Sequence, residues 1–205
     1  MKKKILGTTA IYLLLFGCGF LPLTTLGQSS NRQVEESRSR YYTQACQEIS
    51  GMLDRKSPVN IRRAVFLAEW AYLDGNLDFG DFCRGIDTAV AYLYRFLSVN
   101  ELGRYKTGKN LALTEYFFRP YSGNGYRPFT YDFQDAGGET DFTKQFVSKV
   151  MQTHSGQCRS LPMYYKVLAE TFGADASIAY APAHVFIRYR NEDHLYPEEI
   201  GRAHV

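Results

Sequence analysis

One cysteine and one histidine are the residues of this chain best suited to covalent chemistry. Cys158 lies in the segment Gly-Gln-Cys-Arg-Ser-Leu-Pro, and Pro162, which has no amide hydrogen, fits the first turn of a helix that begins beside the cysteine. His184 follows a Pro-containing turn and opens an alternating stretch typical of a β-strand. A helix N-terminus or an adjacent imidazole favours the nucleophilic thiolate form of a cysteine. The pattern favours a cysteine hydrolase or acyl transferase; the alternative is that both residues are structural.

The first 27 residues have the character of an export signal. Lys2–Lys4 form a basic start, Ile5–Leu26 is mostly apolar, and the small Gly27 precedes polar sequence. We therefore expect a signal peptide over residues 1–27 and a periplasmic or secreted mature protein. A lipoprotein anchored through Cys18 is the alternative, and only in that case do we expect attachment to a membrane.

Length and charge narrow the class of the mature protein. The chain has 205 residues, which leaves enough sequence after the leader for one domain with a sizeable core. Lys and Arg number 24 and Asp and Glu 21, and three of the lysines lie in the leader, so the mature chain carries no formal net charge. No basic stripe stands out, and we therefore expect no nucleic-acid partner.

The mature chain contains an odd number of cysteines: Cys46, Cys83 and Cys158. In an exported protein an odd count indicates either an intermolecular bridge or a thiol that is kept free. The simplest solution is a disulfide between Cys46 and Cys83, with Cys158 left as a thiol. The alternative is that all three are small buried apolar residues.

Residues 28–102 have a helical pattern. We predict one helix over about 33–53, a second after Pro58 and a third over about 79–102, because apolar residues recur at steps of three and four. Residues 103–141 are rich in Gly, Pro and aromatic residues. This composition predicts an ordered loop with a short helix and a strand. This segment either walls a cleft or covers the core.

The rest of the chain combines helices with strands. The pattern predicts a helix over about 141–153 and another that begins at 158 or 160 and ends at Phe172. Strands are predicted over 176–180 and 184–190. The expected fold class is therefore α+β.

Two segments, Gly-Gln-Cys-Arg-Ser-Leu-Pro at 156–162 and Ala-Pro-Ala-His-Val-Phe-Ile at 181–187, carry a family resemblance. Together with the order of helix-borne cysteine, strand and strand-borne histidine, they resemble the transglutaminase-like superfamily, a papain-related group with a Cys-His-Asp triad. The stretch from Asp141 to Arg190 looks like members of this superfamily that are exported by Bacteroidetes. The resemblance implies that Cys158 is the nucleophile and His184 its general base. It also implies an N-terminal helical region packed on a papain-like core of a helix and antiparallel strands.

The end of the chain departs from the pattern of the family. The family's third residue, an Asp or Asn that orients the imidazole, lies on the strand after the histidine strand, which would start near Leu195-Tyr196. Asp193 falls in a turn and is a poor substitute. Residues 199–205 look like the translation of a sequencing adapter, so we expect a non-native tail after a transglutaminase-like core at 103–198 that is truncated and incomplete.

These patterns predict an exported thiol-dependent hydrolase or acyl transferase that acts on amide bonds of a peptide or protein substrate. No cofactor or metal is expected. Water as the second substrate would make it a peptidase or amidase, and a lysine amine would make it a cross-linking transferase. The alternative is an inactive transglutaminase-like module that binds a peptide or glycan through the aromatic segment from Tyr116 to Phe133.

Overall fold

The computed structural model describes residues 29–182, 184–189 and 199–200, and the side chains from Arg38 to Tyr189 within those ranges. Over these residues the protein is helix-rich with a few short strands, which confirms the predicted α+β class at that level. The described chain divides into two compact units, one ending at Phe82 and one beginning at Cys83. The described elements comprise six α-helices, which are α1 (Ser29–Leu53), α2 (Ile61–Tyr72), α3 (Phe79–Val99), α4 (Gly108–Phe118), α5 (Val147–Thr153) and α6 (Ser160–Phe172), and five strands, which are β1 (Thr130–Tyr131), β2 (Ser155–Gly156), β3 (Ser177–Ala181), β4 (His184–Arg188) and β5 (Glu199–Ile200).

In the first unit, α1 packs against α2. The side chain of Asn60 accepts the N–H of Arg63 and so caps the start of α2, which follows Pro58 as predicted. The Arg63 guanidinium binds both carboxylate oxygens of Glu48, at 2.6 and 2.9 Å, and lies over the ring of Phe79. One apolar face of α2 is buried, with Val65, Phe66, Leu67 and Ala71.

Helix α6 is the centre of the second unit, where it packs against α4, α5, β3 and β4. Tyr164, Tyr165, Leu168 and Phe172 are almost completely buried, which accounts for the apolar periodicity of this segment. The helix ends at Gly173, whose φ of +75° is a conformation that residues with a Cβ rarely adopt. Lys109 donates to the carbonyls of Phe172 and Gly173, at 2.9 and 3.3 Å, and so caps this end.

Two segments differ from the sequence prediction in their helical structure. Residues 103–141 contain α4, a full helix of 11 residues, where only a short helix was expected. The predicted helix over 141–153 is instead a 3₁₀ turn over Phe142–Gln145, an extended Phe146 and then α5. The periodicity identified the buried side of this segment correctly, but i,i+3 and i,i+4 spacings do not by themselves distinguish a 3₁₀ turn from an α-helix.

The strands form two small sheets. β3 and β4 make an antiparallel hairpin in which Ala181 pairs with His184, close to the predicted strands. β5 extends this sheet next to β4, in the segment expected to be a non-native tail. β1 and β2 pair in parallel, and neither was specifically predicted at its position.

Several sequence predictions lie outside the described residues. These are the signal peptide over 1–27, the lipidation of Cys18, the turn with Asp193 and the strand start at Leu195-Tyr196. Among the helices that the structure describes, none combines the length and the apolar character needed to cross a membrane.

Candidate functional site

Cys158 lies between the end of β2 and the start of α6, as the sequence predicted. Its side chain is partly buried. Pro162 is buried in the first turn of α6, and the N–H of Leu161 already bonds the carbonyl of Gln157 at 3.0 Å. The cysteine therefore stands at the positive end of the dipole of a 13-residue helix.

Two fully buried residues, Gln157 and Ser160, hold the backbone on either side of the cysteine. The N–H of Gln157 donates to the Ser160 hydroxyl at 2.9 Å, and that hydroxyl donates to the carbonyl of Lys144 at 3.0 Å. The Gln157 side-chain amide donates to the carbonyl of Asp135. Both residues have 0% exposed surface, so the bonds are shielded from water. These hydrogen bonds hold the backbone on both sides of Cys158 in place.

Gly156 permits the close approach of this segment to its neighbours. A Cβ at this position would lie 2.6 Å from Cγ2 of Val150 and 2.7 Å from Oγ of Ser160. Those distances are shorter than van der Waals contact, so a larger residue would push α5 or the buried hydroxyl away. The glycine in the Gly-Gln-Cys motif is explained by this packing.

The loop that receives these bonds is organised by two aspartates. The Asp135 carboxylate accepts the N–H groups of Glu139, Thr140 and Asp141. Burial acts to raise the pKa of Asp135, but these backbone donors outweigh it and lower the pKa to about 2. Lys144 Nζ lies 3.0 Å from a carboxylate oxygen of Asp132 and 3.6 Å from one of Asp135.

Tyr131 lies opposite Gly156, two residues before the cysteine. It pairs with Gly156 in the parallel β1–β2 bridge, and the N–H of Asp132 donates to the carbonyl of Gly156 at 2.7 Å. Partial burial raises the pKa of the Tyr131 phenol, and the neighbouring Cys158 thiolate raises it further. The ring of Phe133, which is 64% exposed, lies 4.8 Å from that of Tyr131.

The sequence alone left open whether the aromatic segment covers the core or walls a cleft. In the structure the rings from Tyr116 to Phe133 divide into a buried group and a surface group. Tyr116, Phe117 and Phe129 are buried and pack around Tyr164, so they cover the core. Tyr131 is half-buried and contacts the largely exposed Phe133, so these two rings lie at the surface. The aromatic composition by itself could not separate these groups.

The hairpin that carries His184 packs on α6, the helix that begins beside Cys158. Only residues 173–176 separate α6 from β3, and β3 packs on α6, so the strand runs back along the helix. Lys166 on the helix donates to the carbonyl of Ala176 at 2.8 Å, next to the start of β3. His184 lies at the turn of this hairpin, where it pairs with Ala181.

The side chains of β4 alternate between two faces of the hairpin. Tyr189 stacks on Tyr165 of α6 with ring centroids 6.3 Å apart, and Ile187 is buried, so this face lies against the helix. His184 is half-buried and stacks with Phe186 at 6.2 Å, on the opposite face. The histidine therefore lies on the face of the hairpin opposite to the one that packs on α6.

His154, four residues before Cys158, has a structural role. It ends α5 with a φ of +57°, its Nδ1 lies 2.6 Å from the carbonyl of Arg127, and its ring stacks on Phe129 with centroids 4.3 Å apart. Within the described residues, no group of three or more His, Cys, Asp or Glu side chains is arranged to hold a metal ion.

The disulfide expected between Cys46 and Cys83 is not formed in the structure. Cys46, Cys83 and Cys158 are all partly buried thiols. A bridge requires Cα atoms within about 7 Å of each other. An odd number of cysteines shows only that at least one has no partner within the chain, and it contains no information on the distance between the other two.

Comparisons with known proteins identify no relative: no family model, curated protein or solved structure matches the chain. The resemblance to the transglutaminase-like superfamily stays a prediction that rests on the two segments around Cys158 and His184.

Proposed function

We propose that this protein is an exported thiol-dependent hydrolase or acyl transferase that acts on amide bonds, with Cys158 as the nucleophile. The main support for the proposal is the position of Cys158 at the amino end of α6, between the fully buried Gln157 and Ser160. Helix N-termini stabilise thiolates, and fixed backbone reduces the cost of aligning the sulfur with a substrate. The partly buried side chain leaves room for an acyl group to approach.

In the proposed reaction His184 takes the proton of the Cys158 thiol. The sulfur attacks the acyl carbon, a C–S bond forms, and the π electrons of the carbonyl move to its oxygen. When the carbonyl re-forms, the C–N bond breaks and the amine leaves with the proton from the imidazolium. Water or a lysine amine then attacks the thioester carbon and gives a proton to His184. The C–S bond breaks, and the imidazolium returns that proton to the sulfur, which regenerates the thiol. The substrate is a peptide or protein, and the reaction needs no cofactor.

For this role the His184 side chain has to turn from the outer face of the hairpin toward α6. His184 is the first residue of β4, and its pair with Ala181 is the last of the hairpin. A residue at this end is held by fewer ladder contacts than one in the middle of a strand. The transglutaminase-like core, the periplasmic or secreted location and the alternative anchor at Cys18 are part of the same proposal, supported by the motifs and the leader sequence.

Iodoacetamide labelling at neutral pH, read by mass spectrometry for each cysteine, tests the proposal. We expect Cys158 in the folded protein to react about tenfold or more faster than in the unfolded chain, because it stands at the amino end of α6. His184→Ala should remove much of this advantage, whereas Arg188→Ala, an exposed residue on the same face of β4, should not. Equal rates for folded and unfolded Cys158, together with no effect of His184→Ala, would contradict the proposal.

A catalytically inactive binding module is the second candidate, and the exposed Phe133 beside Tyr131 favours it. Such a module would hold a peptide or glycan against these two rings. If the protein is such a module, calorimetry should detect binding of the peptide or glycan, and Phe133→Ala should weaken it. Cys158 should then react no faster than a cysteine in the unfolded chain.

A further inference from the structure

The last turns of α3 and the 3₁₀ turn after them, Leu102–Arg104, form a cavity of about 390 Å³ in the second unit. The cavity is lined by Tyr94, Leu97, Ser98, Glu101, Gly103 and Arg104. α3 ends at Val99, and the left-handed backbone of Glu101, with a φ of +52°, turns the chain sharply. A volume of this size is typical of pockets that bind small molecules. None of the lining residues belongs to the site around Cys158.

Tyr94 gives the cavity an aromatic wall that is held in place. The residue is 48% exposed, and its ring meets that of the buried Phe172 edge-on, with centroids 4.7 Å apart. The Tyr94 hydroxyl donates to the carbonyl of Phe172 at 3.3 Å. Leu97, which is half-buried, adds apolar surface three residues further along α3. Because the ring is already fixed, it can stack on the apolar face of a ligand at little cost in side-chain entropy.

Gly103 leaves the wall of the cavity open. It is not among the residues with left-handed backbone, and a Cβ at this position would meet no atom within 4 Å. Neither backbone conformation nor close packing therefore requires a glycine here, in contrast to Gly156. Glycine also loses more conformational freedom on folding than other residues. The feature that Gly103 preserves is the open space beside it.

Glu101 and Arg104 place opposite charges at the edge of the cavity. Nη1 of Arg104 lies 3.8 Å from Oε2 of Glu101, which is longer than a hydrogen bond. Their side chains are 79% and 65% exposed, so the ion pair adds little stability by itself. One ligand hydroxyl could donate to the carboxylate and accept from the guanidinium. Since the two charges cancel, the pair favours a neutral ligand with hydroxyl groups over an anion or a cation.

We propose that this cavity is a binding site for a neutral saccharide. A pyranose ring has an apolar face of C–H groups that suits the ring of Tyr94. Adjacent hydroxyls at its edge suit the carboxylate of Glu101 and the guanidinium of Arg104. A free amino acid also carries one charge of each sign, but at an exposed pair its charges would lose hydration for little Coulomb attraction. The cavity shares no residue with the proposed catalytic site, so saccharide binding is an activity additional to the thiol chemistry.

Isothermal titration calorimetry of the folded protein with maltotetraose, cellotetraose and chitotetraose tests this site. We expect at least one of them to bind with a Kd of about 1 mM or lower. Tyr94→Ala should weaken that binding about tenfold, because the stacking surface is lost. Tyr92→Ala is the matched control: Tyr92 lies on the same helix and is 38% exposed, but it does not line the cavity. It should leave the Kd unchanged.

Gly103→Leu gives a second test, because it adds a side chain at the wall of the cavity. It should weaken saccharide binding about as much as Tyr94→Ala, with the melting temperature of the wild-type protein. If it unfolds the protein, the comparison of Tyr94→Ala with Tyr92→Ala decides.

Three results would overturn the assignment. The first is that none of the three tetrasaccharides binds, and the second is that Tyr92→Ala and Tyr94→Ala weaken binding equally. The third is binding of L-phenylalanine, lost in Tyr94→Ala, without binding of any saccharide, which would assign the cavity to a free amino acid. Alkylation of Cys158 is measured separately, so none of these results bears on the proposed function.

Discussion

Removal of the Ser160 hydroxyl should destabilise the protein by about 2–3 kcal/mol. The hydroxyl accepts the N–H of Gln157 at 2.9 Å and donates to the carbonyl of Lys144 at 3.0 Å, and Ser160 is 0% exposed. In Ser160→Ala the buried N–H of Gln157 and the partly buried carbonyl of Lys144 lose this partner. Each unpaired buried group costs about 1–3 kcal/mol, and we place the pair in the lower half of the summed range because the carbonyl has a second lone pair.

Urea denaturation followed by circular dichroism measures this loss. The melting temperature should fall by roughly 5–10 °C for a chain of this size. Ser177→Ala is the matched control, because Ser177 is exposed at the start of β3, and it should change stability by less than about 0.5 kcal/mol. Ser160→Ala should also bring the alkylation rate of Cys158 closer to that of the unfolded chain. A loss of stability no larger than that of Ser177→Ala would refute the assignment of this hydroxyl as the buried link beside the cysteine.

Three further predictions follow from particular contacts. Lys109→Met should lower the free energy of unfolding by about 1 kcal/mol, because the carbonyls at the end of α6 lose their lysine donor. Urea denaturation measures this, and an unchanged midpoint would show that water replaces the amine. Asp135→Asn should lower the melting temperature at neutral pH, because the folded-state pKa of about 2 lies below the value of about 3.9 for an unfolded aspartate. This stabilisation is complete above the unfolded pKa and is lost as pH falls through the folded pKa, so the two proteins should converge between about pH 4 and 2, and a constant difference would contradict it. Thiol counting on unreduced, unfolded mature protein should find three thiols, at positions 46, 83 and 158; a count of one would show that Cys46 and Cys83 form a bridge.

The elements that position the cysteine could be predicted from sequence because their signals are local. Apolar residues at helical spacing gave α1, α2, α3 and the buried face of α6, and Pro162 marked the start of α6 beside Cys158. Alternation and a Pro-containing turn gave the hairpin of β3 and β4. Each of these patterns is contained within about twenty consecutive residues, so no distant part of the chain is needed to read it.

The surroundings of the cysteine were decided by contacts between distant parts of the chain. β1 and β2 are two residues long and carry no periodicity, yet their pairing brings Tyr131 to Gly156, two residues before Cys158. The side chain of Gln157 donates to the carbonyl of Asp135, and that of Ser160 donates to the carbonyl of Lys144. No sequence pattern specifies which backbone carbonyls these side chains reach.

For His184 the sequence determined the strand and its alternation, whereas the tertiary structure decided which face packs on the helix. Alternation places His184 and Phe186 on one face and Ile187 and Tyr189 on the other, but both faces contain apolar residues. The choice depends on which set fits against α6, where Tyr189 stacks on Tyr165. Packing of this kind is a property of two surfaces meeting, and a pattern along one strand does not contain it.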